Sequence, residues 1–593
     1  MSTDFKKVLV KDSRIGNLTD SIAYGVFKGG QQCTSAQFNA ISASTSSHVY
    51  NIQVPSETTI IDRRVMWKST VTLRIQGVPA NGEQLINYGL TDALSAFPLH
   101  QLCTVISSTI NNNTVSVNMR DVLPALLRMH DSKELASYNG TTPTMYDTYL
   151  SYADAEGADN NPLSGYRSLS SDNELCGRGT FSLDAVAADA GFTTAVPNGD
   201  AAGAVRTAYV KFTVTEPLLL SPWIYGNPQT NNQGIYGIQN LNFQMNIGDA
   251  SRVWRTAQAN TVVNSVQVVG FENSSLNFMF LTPHPSDLMS ARCVVPFNEL
   301  PRFQIQGGAM EASTPAAYTG ASITPSKKDF TFNSISLNQI PDKLIIMVRK
   351  AMSTQTYQDS DSFLPITKFN LNWNNQSGIC SNFTQYDLWR ASKDCGSNQS
   401  WHEFKGIAST HNPAAAAAGT GAGLAVRTSG SVLMLQMGKD INITEDYYAP
   451  GSIGNFVLNF TVSCENYGAA IPTVELVLIA VNSGAFACER GTSSTYTALL
   501  TKNDVLETSQ QEYITSSDVK RMVGSGFLDN LKSTFSTIGR IAQTLAPIAK
   551  PLLNLSGNKH AVQAANVLGS LGYGKTGGSD LTRRIKAKGY SPG

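Results

Sequence analysis

Charge is scarce in this sequence: Asp, Glu, Lys and Arg together make up 15% of its 593 residues. Asn, Ser, Thr and Gly take their place. With 41% hydrophobic residues, this is not the composition of a disordered chain, which would lack the aromatic and β-branched residues present here. Any run near the ~20 apolar residues that a membrane-crossing helix needs is also missing. Residues 1–18 carry Asp4, Lys6, Lys7, Lys11, Asp12 and Arg14 around one short apolar run. That is not a signal peptide, so export by that route is not expected.

Paired cysteines are absent too. The eight (Cys33, Cys103, Cys176, Cys293, Cys380, Cys395, Cys464 and Cys488) are scattered, with no Cys-x-x-Cys and no His at metal spacing. They read as thiols in a reducing compartment, although a disulfide between Cys380 and Cys395 stays open. The seven histidines are dispersed, and His402-Glu403 lacks the second His of a zinc helix. Gly419-Thr-Gly-Ala-Gly423 has no strand before it and reads as a loop, not a dinucleotide fingerprint. Asp154, Glu156 and Asp159 do not follow a calcium-loop spacing. No catalytic constellation, metal site or cofactor is therefore expected, and the chain does not read as an enzyme.

What is present is period two. Leu241, Phe243, Met245 and Ile247 alternate with Asn and Gln. So do Phe369, Leu371 and Trp373 with Asn, and Phe456, Leu458, Phe460 and Val462 with Asn, Thr and Ser. Val71, Leu73 and Ile75 repeat the theme. This spacing sets one face on a core and the other towards solvent or a neighbour, as in antiparallel sheets. Residues 344–348 and 476–481 are apolar throughout and suit central strands covered on both faces. Helical signals in the body are few. Asp121 is a candidate cap for a short helix through Val122, Leu126 and Met129, and Phe383, Tyr386 and Trp389 share one helical face. A chain of this length needs at least two domains. Residues 20–260 and 262–490 each hold enough strands for a sandwich of about eight. Turn-rich stretches at 140–173, 185–203 and 414–423 belong on the surface between strands.

The C-terminal part differs in kind. From Lys520 onward there are eleven Lys/Arg against two acids, so a basic tail balances an acidic body within a net charge of zero. Phe527, Leu531, Phe535, Ile538, Leu545 and Ile548 recur at helical spacing until Pro547 and Pro551 interrupt them. This stripe reads equally as a membrane-surface helix and as one packed on the protein's own body. The basic end can also make weak, non-specific contacts with nucleic-acid phosphates.

Several segments resemble a known family: Gly29-Gly-Gln-Gln32, residues 149–163 with Asp-Asn-Asn-Pro-Leu, Leu371-Asn-Trp-Asn-Asn-Gln-Ser-Gly-Ile379, Gly438-Lys-Asp440 and Gly454-Asn-Phe-Val-Leu458. In order and spacing they are similar to the major capsid proteins of virophages and polinton-like viruses. The resemblance implies an all-β tandem double jelly roll, two eight-stranded antiparallel sandwiches, followed by the amphipathic helical tail. It implies a homotrimeric, pseudo-hexameric capsomer tiling an icosahedral shell around double-stranded DNA, with penton and minor capsid proteins as partners. The chain would be assembled inside the host cell and located in the virion. The expected division is 1–261 for the first roll with its N-terminal arm, 262–500 for the second, 501–525 for a linker and 526–593 for the tail.

The family's maturation protease, like that of adenoviruses, is implied as a further partner. Met522-Val-Gly524-Ser525-Gly526 fits the preferred pattern, with cleavage between Ser525 and Gly526 at the composition boundary. A carbohydrate-binding β-sandwich on a particle or cell surface is the competing reading, because jelly rolls serve both roles. It would gather aromatic platforms and acidic ligands on one loop face. For the cleavage, mass spectrometry of mature particles should find one product ending at Ser525 and another beginning at Gly526. A chain that runs intact through Gly526 refutes processing there.

Overall fold

A computed structural model of the chain describes residues 32–508, apart from 80–84, 87, 89–90, 131–141, 156–183, 189–204, 224–233, 249, 260–261, 285–288, 317–322 and 411–423. Its sheets follow from the alternation in the sequence. In the first half, strand Val263–Thr282 lies between Gln32–Asn39 and Met66–Gly77, and Arg206–Pro217 pairs with the far side of Met66–Gly77. Facing it is a sheet in the order Ser47–Ile52, Leu241–Ile247, Cys103–Ile110, Asn113–Val117. Numbered along the chain, these eight strands run 1-8-3-6 in one sheet and 2-7-4-5 in the other, the jelly-roll order.

The second half repeats this order with different residues. One sheet runs Arg302–Gly307, Val474–Glu489, Lys343–Lys350, Val432–Gln436. The other runs Ser326–Gln339, Ile453–Asn466, Ile366–Trp373, Gln376–Ile379. Phe456, Leu458, Phe460 and Val462 are buried while Asn459, Thr461 and Ser463 face outward. Val462 stands opposite Phe330 on one neighbour and Phe369 on the other, so one period-two face from three strands makes one core. Trp373 stacks on Phe456 with ring centres 5.4 Å apart, closing that core at one end.

The division expected after residue 261 is displaced. Strand Val263–Thr282 is hydrogen-bonded to the first roll along both edges, and the second roll's first sheet strands begin only at Cys293. The last strand of a jelly roll returns beside its first. It is therefore adjacent in sequence to the next roll, and alternation alone does not say which sheet receives it. The expected linker also contains a helix, Lys502–Thr508. Thr501 starts it: its backbone N–H donates to Asp504 Oδ2 (2.8 Å) and its hydroxyl accepts from the Asp504 N–H (3.4 Å). The helix expected at Asp121 runs Met119–Leu127, but its cap is Asn118, whose side chain accepts from the Asp121 N–H. Helix Gln385–Asp394 carries Tyr386 and Trp389, while Phe383 precedes its Thr384 cap. Cys380 and Cys395 do not bond to each other: Cys380 Sγ turns to the Asp440 carbonyl (3.5 Å) and Cys395 Sγ to Asp440 Oδ2 (3.4 Å).

His48 lies fully buried in the first roll, edge-on to Phe271 at 4.1 Å and to Trp67 at 5.8 Å. Its Nε2 has no hydrogen-bond partner, and burial pulls its pKa down from 6.5 to about 4. The unfolded chain therefore binds a proton between these values that the folded chain refuses. Stability is complete above pH ~6.5 and falls by about 3 kcal/mol as the pH drops to about 4. Denaturant unfolding at a series of pH values should show this decline in the native chain and a flatter profile in His48→Gln. An unchanged slope in the variant would rule out His48 as its source.

Candidate functional site at the junction of the two rolls

The two apolar runs read from the sequence converge on one place. Leu344, Ile346 and Val348 point into the second roll's own core, together with Leu476, Leu478, Ala480, Leu433 and Leu435. The alternate side chains, Ile345, Met347, Val477, Ile479, Val481, Val432 and Met434, belong instead to a cluster continuous with the first roll's core. Three neighbouring strands of one second-roll sheet are thus buried on both faces, and their outer face is the wall against which the first roll packs. Each such side chain contributes on the order of 1.5–3 kcal/mol when fully buried, so separating the rolls is strongly unfavourable.

Ionic contacts border this apolar wall. Helix Met119–Leu127 of the first roll presents Asp121, which is buried. Its Oδ1 accepts from Arg349 Nη2, and its Oδ2 lies 2.6 Å from Arg302 Nη1, both on second-roll strands. Arg349 Nε also donates to Glu475 Oε2 at 3.2 Å. Burial by itself would raise the Asp121 carboxyl, but Arg349, Arg302 and Arg120 outweigh it and hold the group below its ordinary value.

A second contact runs the other way. Asp361 belongs to the second roll and reaches into the first. Gln101 donates to its Oδ2 (2.9 Å), Arg255 and Arg252 approach its Oδ1 (3.5 and 3.6 Å), and Arg128 donates to its backbone carbonyl. Its own N–H donates to Asp147 Oδ2 at 2.8 Å. Here too burial acts upward, and Arg252, Arg255 and Arg128 hold the carboxyl well below the usual range. The segment carrying Asp361 is fixed along its length. Tyr357 receives the Thr256 and Val266 N–H groups, Ser360 donates to the Tyr149 carbonyl, and Phe363 donates to Ser429. Gly430 follows with φ +81°, and a Cβ there would lie 1.9 Å from the Phe363 carbonyl oxygen, so only glycine lets the chains approach this closely.

The end of the second roll adds a clasp. Strand Thr492–Tyr496 lies beside the first roll's Ile110–Asn113 turn. Asn111 Nδ2 donates to the Thr492 carbonyl (3.2 Å), Ser493 N–H to Asn112 Oδ1 (2.7 Å) and the Ser493 hydroxyl to the Ile110 carbonyl (2.5 Å). The strand is held on its other side by residues 485–489.

Two arrangements that look chemical are structural. His100 Nδ1 lies 2.5 Å from Glu216 Oε2, and both side chains are fully buried. The carboxylate also accepts from the Leu99 and His100 N–H groups and the Thr142 hydroxyl, while His100 Nε2 accepts from the Leu219 N–H. With every polar atom spent and no exposure, the pair anchors helix Pro98–Leu102 to strand Arg206–Pro217. Tyr386, Trp389 and Trp401 form a surface group with ring centres 5.3–5.8 Å apart. The carboxylates beside it have a structural task, since Asp387 and Glu403 close capping boxes on Thr384 and Ser400.

The residues predicted for processing and membrane contact (Met522, Gly524, Ser525, Gly526, Phe527, Leu531, Phe535, Ile538, Leu545 and Ile548) lie outside the described residues. The junction arginines were missed by sequence reasoning. A signal existed in a chain so poor in charge: Arg349 follows a five-residue apolar run, and Arg255 follows Trp254.

Two family models match the chain. Residues 3–281 match the first domain of the Sputnik virophage major capsid protein, and residues 312–484 the C-terminal domain of major capsid protein V20. Capsid protein V20 of Sputnik virophage is 25% identical, over 96% of this chain and 93% of that protein. In the cryo-EM structure of Sputnik virophage, a chain with 24% identity superposes with a TM-score of 0.73, covering 88% of this chain and 99% of that one. The mavirus major capsid protein crystal structure gives 0.64 at 15% identity, over 87% and 100%.

Asp361→Asn should leave Arg252 and Arg255 without their shared carboxylate and cost about 3–5 kcal/mol. The wild-type carboxylate contributes above the unfolded value of ~3.9 and loses that contribution as pH falls through its depressed folded value. The variant lacks it at every pH. Lys439→Ala, which breaks an exposed pair with Asp394 at 3.1 Å, should cost under about 1 kcal/mol. Denaturant midpoints of the two variants compare them directly, and equal losses would contradict the junction's role.

Proposed function

The chain belongs to the major capsid proteins of virophages, and from that premise we propose that three copies stand side by side as a pseudo-hexagonal capsomer. It is a component of the virion, and its relatives are structural shell proteins. The observation that carries the reading is the junction. A trimer with a six-sided outline needs two rolls per copy at one fixed angle. A sheet apolar on both faces and two reciprocal carboxylate–arginine contacts supply that rigidity. Hinging the rolls would expose apolar wall and strip partners from buried charges, which is costly on both counts.

The outward faces support lateral contact between copies. Thr331 meets Thr461 at 3.1 Å and Asn372 meets Asn459 at 2.7 Å on the second roll. Thr109 meets Thr114 at 2.9 Å on the first. Neutral side chains of this kind form wet, complementary interfaces without strong charge repulsion between identical neighbours. We place the division between the rolls in the stretch between Thr282 and Cys293. The capsomers would tile an icosahedral shell around double-stranded DNA, with penton and minor capsid proteins at its special positions. The tail beyond Ser525 would be released by the maturation protease and act on membranes or nucleic acid.

Size-exclusion chromatography with light scattering, followed by electron microscopy of the purified protein, should give a trimer with six peripheral lobes. A stable monomer at micromolar concentration would overturn the proposal.

A further inference from the structure

Six arginines meet at the junction: Arg120, Arg128, Arg252, Arg255, Arg302 and Arg349. Facing them among the described residues are the carboxylates of Asp121, Asp147, Asp361 and Glu475, with Glu403 acting on Arg128 from further off. Arg128, Arg252, Arg255 and Arg349 are buried. Most acceptors nearby are engaged, although Gln101 Oε1 accepts no hydrogen bond and Asp121 Oδ2 meets Arg302 Nη1 as an ion pair at 2.6 Å. Asp361 Oδ2 takes Gln101, and its Oδ1 is shared by Arg252 and Arg255 at distances longer than a good charged hydrogen bond. Asp121 takes Arg349 and Arg302, and Asp147 takes the Asp361 N–H and the Tyr152 hydroxyl.

Buried guanidinium nitrogens remain without an acceptor: Nε of Arg252, Nε of Arg255 and Nη1 of Arg349, while Nη2 of Arg252 reaches Asp361 Oδ1 only at 3.6 Å. These three side chains sense one another. Burial first, and then the charges of Arg349 and Arg255, bring Arg252 down to about 10 against the pull of Asp361. Buried guanidinium donors here therefore outnumber the hydrogen bonds that reach them.

We propose that the junction binds one small inorganic anion, a halide or phosphate, among Arg252, Arg255 and Arg349. An anion supplies the missing acceptors and also offsets the repulsion between neighbouring guanidiniums, whereas a buried water supplies only the first. The ligand must be small, because the donors sit in a closed seam between the rolls where their side chains are almost wholly buried. Its effect would be to tie the Ala250–Arg252 turn and the Trp254–Thr256 strand of the first roll to the Lys343–Lys350 strand of the second. The inference does not rest on the trimer, since every donor comes from a single chain.

The test uses the full chain in chloride-free gluconate buffer, to which chloride or inorganic phosphate is added at constant ionic strength. Thermal unfolding should shift upward by a few degrees and saturate, as for a ligand bound to the folded state alone. Arg252→Met should remove the dependence. If that variant does not fold, Arg252→Lys, which keeps the charge but loses the fork of donors, should weaken it. Crystals grown in bromide should show an anomalous peak within hydrogen-bond distance of Arg252 and Arg255. A response to phosphate alone assigns an oxyanion, and one to chloride a halide. Identical unfolding temperatures in gluconate, chloride and phosphate, with no bromide peak, would overturn the proposal.

Discussion

The second roll's sheet of Arg302–Gly307, Val474–Glu489, Lys343–Lys350 and Val432–Gln436 is the constraint on which the rest depends. A sheet in an isolated sandwich has one dry face and one wet face. In this one the three strands inside the Arg302–Gly307 edge are dry on both faces, with alternate residues of the same strand serving two cores. It cannot exist without the first roll against it. The chain is therefore two sandwiches by topology but one body by packing. That distinction matters for a building block whose neighbours must find it in a single shape.

Buried charge at such a wall needs an explanation, because an apolar seam would hold as well or better. Asp121 reaches from the first roll into arginines of the second, and Asp361 reaches back from the second into arginines of the first. Apolar contact is tolerant of sliding, whereas hydrogen-bonded charge pairs have one good geometry. The reciprocal pairs fix where the rolls sit on each other, and the apolar wall supplies most of the attraction. The clasp formed by Asn111, Asn112 and Ser493 acts at another edge of the same seam with uncharged groups.

Much of the fold was legible because period two is a local property. The alternation at 456–463 named its buried face residue by residue, and the unbroken runs at 344–348 and 476–481 announced strands covered on both sides. What covered them was not legible. Strand Val263–Thr282 was assigned to the wrong roll for the same reason: nothing within it records that its partners lie some 190 and 240 residues earlier. Caps were recoverable in principle, since Thr384 with Asp387 and Ser400 with Glu403 are pattern-level signals. The junction charges were not. Asp121 looked like a helix cap, and only the approach of Arg349 from 228 residues away gave its carboxylate another task.

By itself the sequence determined that the chain is β-built, that it has two halves, which side of most strands is dry, and that its end is basic and amphipathic. All of these depend on side chains close along the chain, where 3.3 Å steps and alternating Cβ directions translate order into geometry. Tertiary structure alone decided which sheet each strand joined, that the two cores share a wall, and that scattered arginines and aspartates meet in one seam. Those outcomes depend on surfaces that exist only after each roll has formed, when residues hundreds of positions apart compete for the same buried space.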